Sequence, residues 1–274
     1  MSDNFVLKLL YRIKRRIFLK SSGHILSSHK GEGFDFAELM PYGEGMDARR
    51  IYWNSLAKGG EIQRKTFYED KEIHVCVGVI LSGSLLFGMD VKKYEKLLEV
   101  VSVLGYSTIH SKNQFQGIFW SEKEYFGTPS SKNVYSVEHF VKKISKKDLL
   151  YQKIDSDKCV KTLDKLLLKK SLLFLAGDFL QMYDLKKLSV KHEIIVVIIR
   201  DRFEEEATYL GEKLFVDPES GEELEIFFDK KTAQAYTKRY KDHDKKLEKS
   251  LTKLGIRFVK IYTDEDPFLK LGKL

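Results

Sequence analysis

His74-Val-Cys-Val-Gly-Val-Ile-Leu81 runs straight into Ser82-Gly83-Ser84. The run is apolar, short and rich in β-branched residues, without alternation of polar and apolar positions. That pattern suits a strand buried on both faces, as in the middle of a parallel sheet. Ser171-Leu-Leu-Phe-Leu-Ala176 and Glu193-Ile-Ile-Val-Val-Ile-Ile199 read the same way. After the first run, Tyr94, Leu97, Leu98, Val101, Leu104 and Ile109 recur at helical intervals, and helical stretches are expected around 134–147 and 157–168. Strands alternating with helices imply an α/β fold, a mostly parallel sheet wrapped by helices in three layers. Ligands of such sheets gather at the carboxyl ends of the strands. Ser82, Ser84, Asp178 and Asp201 are therefore expected along the functional edge.

Further out, Gln114-Phe-Gln-Gly-Ile-Phe-Trp120 and Glu124-Tyr-Phe126 read as paired strands. Residues 211–228 read as a hairpin turning at Asp217-Pro-Glu-Ser-Gly221. A long basic helix follows, with Ala233, Tyr236, Tyr240, Leu247, Leu251 and Leu254 on one face and Gly255 as its stop. Its lysines interleave with Asp242, Asp244 and Glu248, the pattern of a solvated face. Arg257-Phe-Val-Lys-Ile-Tyr262 is the expected last strand, and 267–274 a short terminal helix.

At the other end, Val6, Leu9, Leu10, Ile13 and Ile17 make residues 1–20 an amphipathic basic helix. Basic residues interrupt its apolar ones too often for a secretory leader. No window approaches the roughly 18 apolar residues of a membrane span. A soluble, cytoplasmic protein is expected, with peripheral membrane contact open to that helix. The chain has 274 residues and a formal net charge of +8, which favours acidic partners without choosing among protein, nucleic acid and anionic lipid. Its two cysteines, Cys76 and Cys159, offer no disulfide framework or zinc spacing.

A second stretch places the chain. Phe34-Asp-Phe-Ala-Glu-Leu-Met-Pro-Tyr-Gly-Glu-Gly-Met-Asp-Ala-Arg-Arg-Ile-Tyr-Trp53, closed by Asn54-Ser-Leu-Ala-Lys58, carries Tyr42, Gly45, Asp47, Arg49, Ile51, Trp53, Ser55 and Ala57. It resembles the DUF58 family, whose pattern reads roughly Y-x-x-G-D-x-x-R-x-I-x-W-x-x-S-A. The chain departs from it at Met40, Tyr52 and Met46, where Arg, Asp and an acidic residue are usual. Within the stretch, Asp47 and Arg49 are expected to form a loop-anchoring pair with Trp53 buried beside it. The alternative is a partner-binding face of Tyr42, Arg49, Arg50 and Trp53.

The resemblance implies a von Willebrand factor A (vWA)-like domain over 71–274, with the hairpin near 211–228 as an insertion. Residues 1–70 become an N-terminal helical/β extension carrying the signature. It also implies a partner among the MoxR-type AAA+ ATPases. The vWA fold commonly holds Mg²⁺ or Mn²⁺ in a metal-ion-dependent adhesion site (MIDAS) that begins D-x-S-x-S. The matching residues here are Ile80-Leu81-Ser82-Gly83-Ser84: both serines stand, while Ile80 holds the aspartate position. Asp178, in Gly177-Asp178-Phe179, matches the family's serine-aspartate-phenylalanine loop. With one carboxylate fewer, a degenerate site without metal or other cofactor is expected. The serines then cap the first helix. Asp201 with Glu204, and Asp217-Pro-Glu-Ser-Gly221, match further acidic turns of the family and read as turn formers.

No G-x-x-x-x-G-K-[ST] loop, G-x-S-x-G elbow or H-E-x-x-H pair occurs. The expected function is a non-catalytic interaction or adaptor module. Its alternatives are a metal-dependent adhesion module and a basic protein that binds nucleic acid or anionic lipid.

Overall fold

A computed structural model of the protein describes residues 3–20, 36–43, 46, 48–57, 59–67 and 72–273. The chain divides into two compact units, one of residues 1–22 with 73–274 and one of 23–72. In chain order the elements are α1 (Asp3–Lys20), β1 (Phe36–Pro41), α2 (Trp53–Ala57), β2 (Gln63–Phe67), β3 (His74–Ile80), α3 (Lys93–His110) and β4 (Gln114–Trp120). Then follow β5 (Tyr125–Gly127), α4 (Val134–Ser145), α5 (Ser156–Leu166), β6 (Leu172–Gly177), α6 (Lys186–Lys191), β7 (Glu193–Arg200) and α7 (Arg202–Glu205). The last are β8 (Gly211–Val216), β9 (Glu223–Phe228), α8 (Lys230–Lys253), β10 (Arg257–Tyr262) and α9 (Pro267–Leu271).

Six strands of the larger unit form one sheet in the order β10-β7-β6-β3-β4-β5. All neighbours are parallel except β5, which runs antiparallel to β4 at the edge. The chain starts in the middle at β3, builds outward through β4 and β5, then returns to the other side of β3 with β6. The strand order reverses there, so the switch point of this doubly wound sheet lies between β3 and β6.

Successive side chains of a strand point to opposite faces. Val77, Val79 and Leu81 accordingly join Phe115, Phe119, Val197 and Ile199 in one core layer, beneath α1, α3 and α4. Cys76 and Ile80 join Ile118, Leu173, Leu175, Val196 and Ile198 in the other, beneath α5, α6 and α8. Both cysteines are buried free thiols in this second layer. Burial pushes the Cys159 thiol up to about 12, so it stays protonated and inert. Gly117 lets α4 close onto β4, because a Cβ there would fall 2.5 Å from the Phe140 ring.

Helix ends follow local chemistry. Asn133, Asp155, Asp229 and Asp266 each accept a backbone N–H as N-caps of α4, α5, α8 and α9. Gly255 ends α8 at φ 67°, the left-handed conformation that glycine adopts without strain. β8 and β9 pair with each other apart from the main sheet, as the hairpin reading expected.

The division into units does not follow a single cut at residue 70. The reason is α1, whose Val6, Leu9, Leu10, Ile13 and Ile17 are buried in the core layer of α3 and α4. Arg12–Glu99 (3.0 Å), Lys14–Glu138 (2.9 Å) and Arg16–Asp266 (2.6 Å) pair its polar side with the same unit. Among the described residues no helix is long and apolar enough to cross a membrane. Truncating Ile13 to alanine should lower stability by about 2–4 kcal/mol, because the stripe is core. Urea unfolding reads this, and a loss below about 0.5 kcal/mol, the size of an exposed substitution, would show α1 undocked.

Candidate functional site

The loops after β3 and β6 flank the switch point and bring three expected residues together. Ser82 and Ser84 are buried, with their hydroxyl oxygens 2.8 Å apart, and Ser82 donates to Asp178 Oδ1 at 3.3 Å. The turn after β6 is held by Phe179, a non-glycine residue at φ 50°. Such a conformation persists where its surroundings enforce it. Here His243 donates from Nε2 to the Phe179 carbonyl at 2.8 Å, and the Phe179 ring meets Tyr183 edge-on. The expectation that the serines cap a helix is corrected: Ser82 makes no capping bond, and its hydroxyl turns to Ser84 and Asp178.

Four further residues complete the site, and sequence reading gave none of them this role. Lys93, in the first turn of α3, is 0% exposed. Its Nζ lies 2.6 Å from Glu204 Oε1 and 3.4 Å from Asp178 Oδ2. Glu204 is fixed in turn by a capping box on α7: its other oxygen accepts from the Asp201 amide at 2.9 Å, and Asp201 accepts from Phe203 at 3.0 Å. The acids of that loop do form a turn, as expected, but Glu204 also balances a buried ammonium. Arg200 ends β7 fully buried, donating to the Asp178 carbonyl and, at 2.6 Å, to Asp244 on α8. Asp244 also meets Lys260 at 2.6 Å. Reading Asp244 as part of a solvated face is therefore corrected, since it is 3% exposed.

Burial by itself would raise the pKa of Asp178, yet the ammonium of Lys93, the Ser84 hydroxyl and Arg200 hold it below the ordinary carboxylate range. The same balance holds for Asp244, where Arg200 and Lys260 outweigh burial. Glu219, at the tip of the β8–β9 hairpin, behaves oppositely. Burial pushes it up, nearby Asp178 and Asp217 add to that, and the hydroxyl and amide of Ser84 only partly compensate. The tip is docked: Tyr151 donates from its amide to the Pro218 carbonyl at 2.7 Å. Gly83 is required beneath it, since a Cβ there would fall 2.6 Å from that carbonyl oxygen.

These residues do not suit the divalent ion that a metal-dependent site would hold. Ile80, at the position of the missing aspartate, is buried in an apolar layer. The Lys93 ammonium already occupies the space between Asp178 and Glu204. At an effective dielectric of 20, a dication about 4 Å from an ammonium would be repelled by about 8 kcal/mol. Among the described residues no group of three or more His, Cys, Asp or Glu could hold a metal.

The signature unit has its own arrangement. β1 and β2 pair antiparallel, the Tyr42 hydroxyl donates to the Met46 carbonyl at 2.7 Å, and Lys65 lies over the Tyr52 ring. Gly45 and Asp47 lie outside the described residues, so the expected pair of Asp47 with Arg49 does too. Arg49 is exposed. Trp53 was expected to be buried and is 62% exposed, a correction that follows from its place at the start of the short surface helix α2.

The fold and site thus define a doubly wound α/β protein with a buried ion-pair site at its strand ends. The family model described as "Protein of unknown function DUF58" matches residues 38–246, and the chain belongs to that family. No curated protein matches it. Among solved structures it is similar to a conserved hypothetical protein BatB from Bacteroides thetaiotaomicron, with 12% identity and a TM-score of 0.45 over 73% of this chain and 96% of that one. It is also similar to an aerotolerance-related membrane protein from Bacteroides fragilis NCTC 9343 carrying multiple mutations to serine. There the identity is 11% and the TM-score 0.42, over 74% of this chain and 100% of that one.

Two outcomes test this site. Arg200→Met should cost about 3–5 kcal/mol in urea unfolding, because Asp244 and the Asp178 carbonyl lose a buried partner. A cost under 1 kcal/mol would contradict the buried pairing. For Glu219 the folded pKa is raised, so the folded state holds its proton more tightly and stability falls as pH rises past the ordinary carboxylate range. Glu219→Gln should remove that loss, so its stability relative to wild type should increase between pH 4.5 and 7.5. A difference independent of pH would show Glu219 to be unperturbed.

Proposed function

We propose that this protein is a non-catalytic, vWA-like interaction module of the cytoplasm. On this reading it works with a MoxR-type AAA+ ATPase in protein maturation or stress handling. The observation that carries the proposal is how the strand-end residues use one another. Lys93 is bonded to Glu204 and Asp178, Arg200 to Asp244, and Ser82 to Asp178. Groups so engaged hold loops in place, whereas catalysis needs a nucleophile, a base and an electrophile facing a substrate. The same edge exposes Met89 in the loop after β3 and Met182 in the loop after β6. Flexible thioethers at a surface suit contact with another protein. The ATPase as partner comes from the family resemblance.

A second reading rests on a cleft of about 700 Å³ between the β4–β5 edge and α5, where Lys123, Lys153, Lys158, Lys161 and Lys165 outnumber Glu122, Glu124 and Asp155. That surface favours a polyanion, and binding to it would weaken steeply with salt.

Capture experiments with the MoxR-type ATPase of the same cell, in the presence of ATP, separate the two. The adaptor reading expects recovery of the ATPase, reduced about tenfold or more by Met89→Glu with Met182→Glu, in samples whose fold is unchanged by circular dichroism. Absence of the ATPase from a folded wild-type sample would sink that partner. Salt-sensitive retention on nucleic acid or anionic vesicles would then favour the lysine cleft.

A further inference from the structure

We infer that Lys93 is the permanent cation of the strand-end site, its ammonium standing in for the divalent ion that the D-x-S-x-S-like loop would otherwise hold. The inference concerns the site's own chemistry and does not depend on which partner the protein has.

Three observations carry it. The first is position. Lys93 Nζ contacts Asp178 through Oδ2 while Ser82 bonds the other oxygen of the same carboxylate, and Ser84 is 2.8 Å from Ser82. The ammonium thus occupies one oxygen of the carboxylate that the serine loop bonds through the other, so the charge at this edge comes from Lys93.

The second is charge. Asp178 and Glu204 bring two negative charges, and the Lys93 ammonium lies between them with no exposure to solvent. Ile80 removes a third carboxylate from the loop and is itself buried in apolar surroundings. An apolar residue at 80 and an ammonium at 93 belong together. The first leaves two carboxylates where three would stand, and the second, with the Arg200 guanidinium that also bears on Asp178 and Glu204, supplies the opposite charge that burial demands.

The third is how firmly the ammonium is held. Lys93 leads the buried stripe of α3, four residues before Leu97, so packing of the helix fixes where its stem begins. Its Nζ lies 5.8 Å from the centre of the Phe87 ring, and Glu204 is clamped by the α7 capping box. An ion is free to leave such a site, whereas a lysine in this position is not. Recognition at this edge is therefore indifferent to divalent ions and chelators.

Mn²⁺ binding, read by water-proton relaxation, tests the inference together with thermal unfolding in Mn²⁺ or EDTA. Wild type should bind no Mn²⁺ at millimolar concentration and should show the same Tm in both. Lys93→Ala leaves Asp178 and Glu204 facing a gap that an ion with its waters can enter. It should unfold roughly 10 °C lower in EDTA. It should also gain Mn²⁺ binding and recover several degrees in 5 mM Mn²⁺, by stabilisation of the folded form alone.

Should Lys93→Ala fail to fold in EDTA, refolding it with and without Mn²⁺ reads the same point, and recovery of the fold only with the ion supports the inference. Mn²⁺ binding by wild type that Ser84→Ala abolishes would overturn it. So would a Lys93→Ala protein, folded or refolding, whose behaviour is identical with and without the ion.

Discussion

A lysine ammonium with no exposure to solvent must find negative charge, and much of this molecule is arranged so that Lys93 does. Asp178 comes from the turn after β6 and Glu204 from α7, so a single ammonium ties α3 to the ends of two neighbouring parallel strands. Arg200 extends the network by joining the end of β7 to the Asp178 carbonyl and to Asp244 on α8. Lys260 on β10 closes it through Asp244 and Glu205. Buried pairs of this kind add little net stability over apolar replacements, but losing one partner is costly. Their effect is to fix which loops meet at the switch point.

The sheet makes that network possible. Alternating side chains of β3 feed two apolar layers, and each layer is roofed by helices, so the carboxyl ends form an edge where loops converge. The edge is not open. The hairpin tip lies over Gly83, with Glu219 facing Ser84, and this carboxyl is the one whose charge the site disfavours. A fold that elsewhere offers a strand-end ligand site here contains its own cation and covers its own hydroxyls.

Particular residues show where sequence patterns held and where they did not. Continuous apolar runs gave β3, β6 and β7, because burial on both faces leaves no room for polar residues. The same apolar spacing of α8 hid Asp244. It stands between Tyr240 and Leu247 on the buried stripe, and its neighbours Asp242 and Glu248 made it look like surface charge. Lys93 carries a similar signal, a basic residue four positions before Leu97, visible only if charge within an apolar stripe is taken as a question. Trp53 went the other way: a large aromatic suggests burial, while the five-residue helix that carries it has no buried residue.

By itself the sequence determined the alternation of strands and helices, the glycine stop of α8, the hairpin and the family, since each rests on local chemistry or on a contiguous motif. It also placed Ser82, Ser84 and Asp178 at strand ends, because parallel sheets put their loops there. Only the tertiary structure decided what those residues do. Lys93, Asp178, Glu204 and Arg200 are separated by 85, 111 and 22 residues in the pairs they form, and no local pattern specifies such partners. Burial decides it, for a charge withdrawn from water must meet its opposite, and which opposite is near depends on how the sheet is wound.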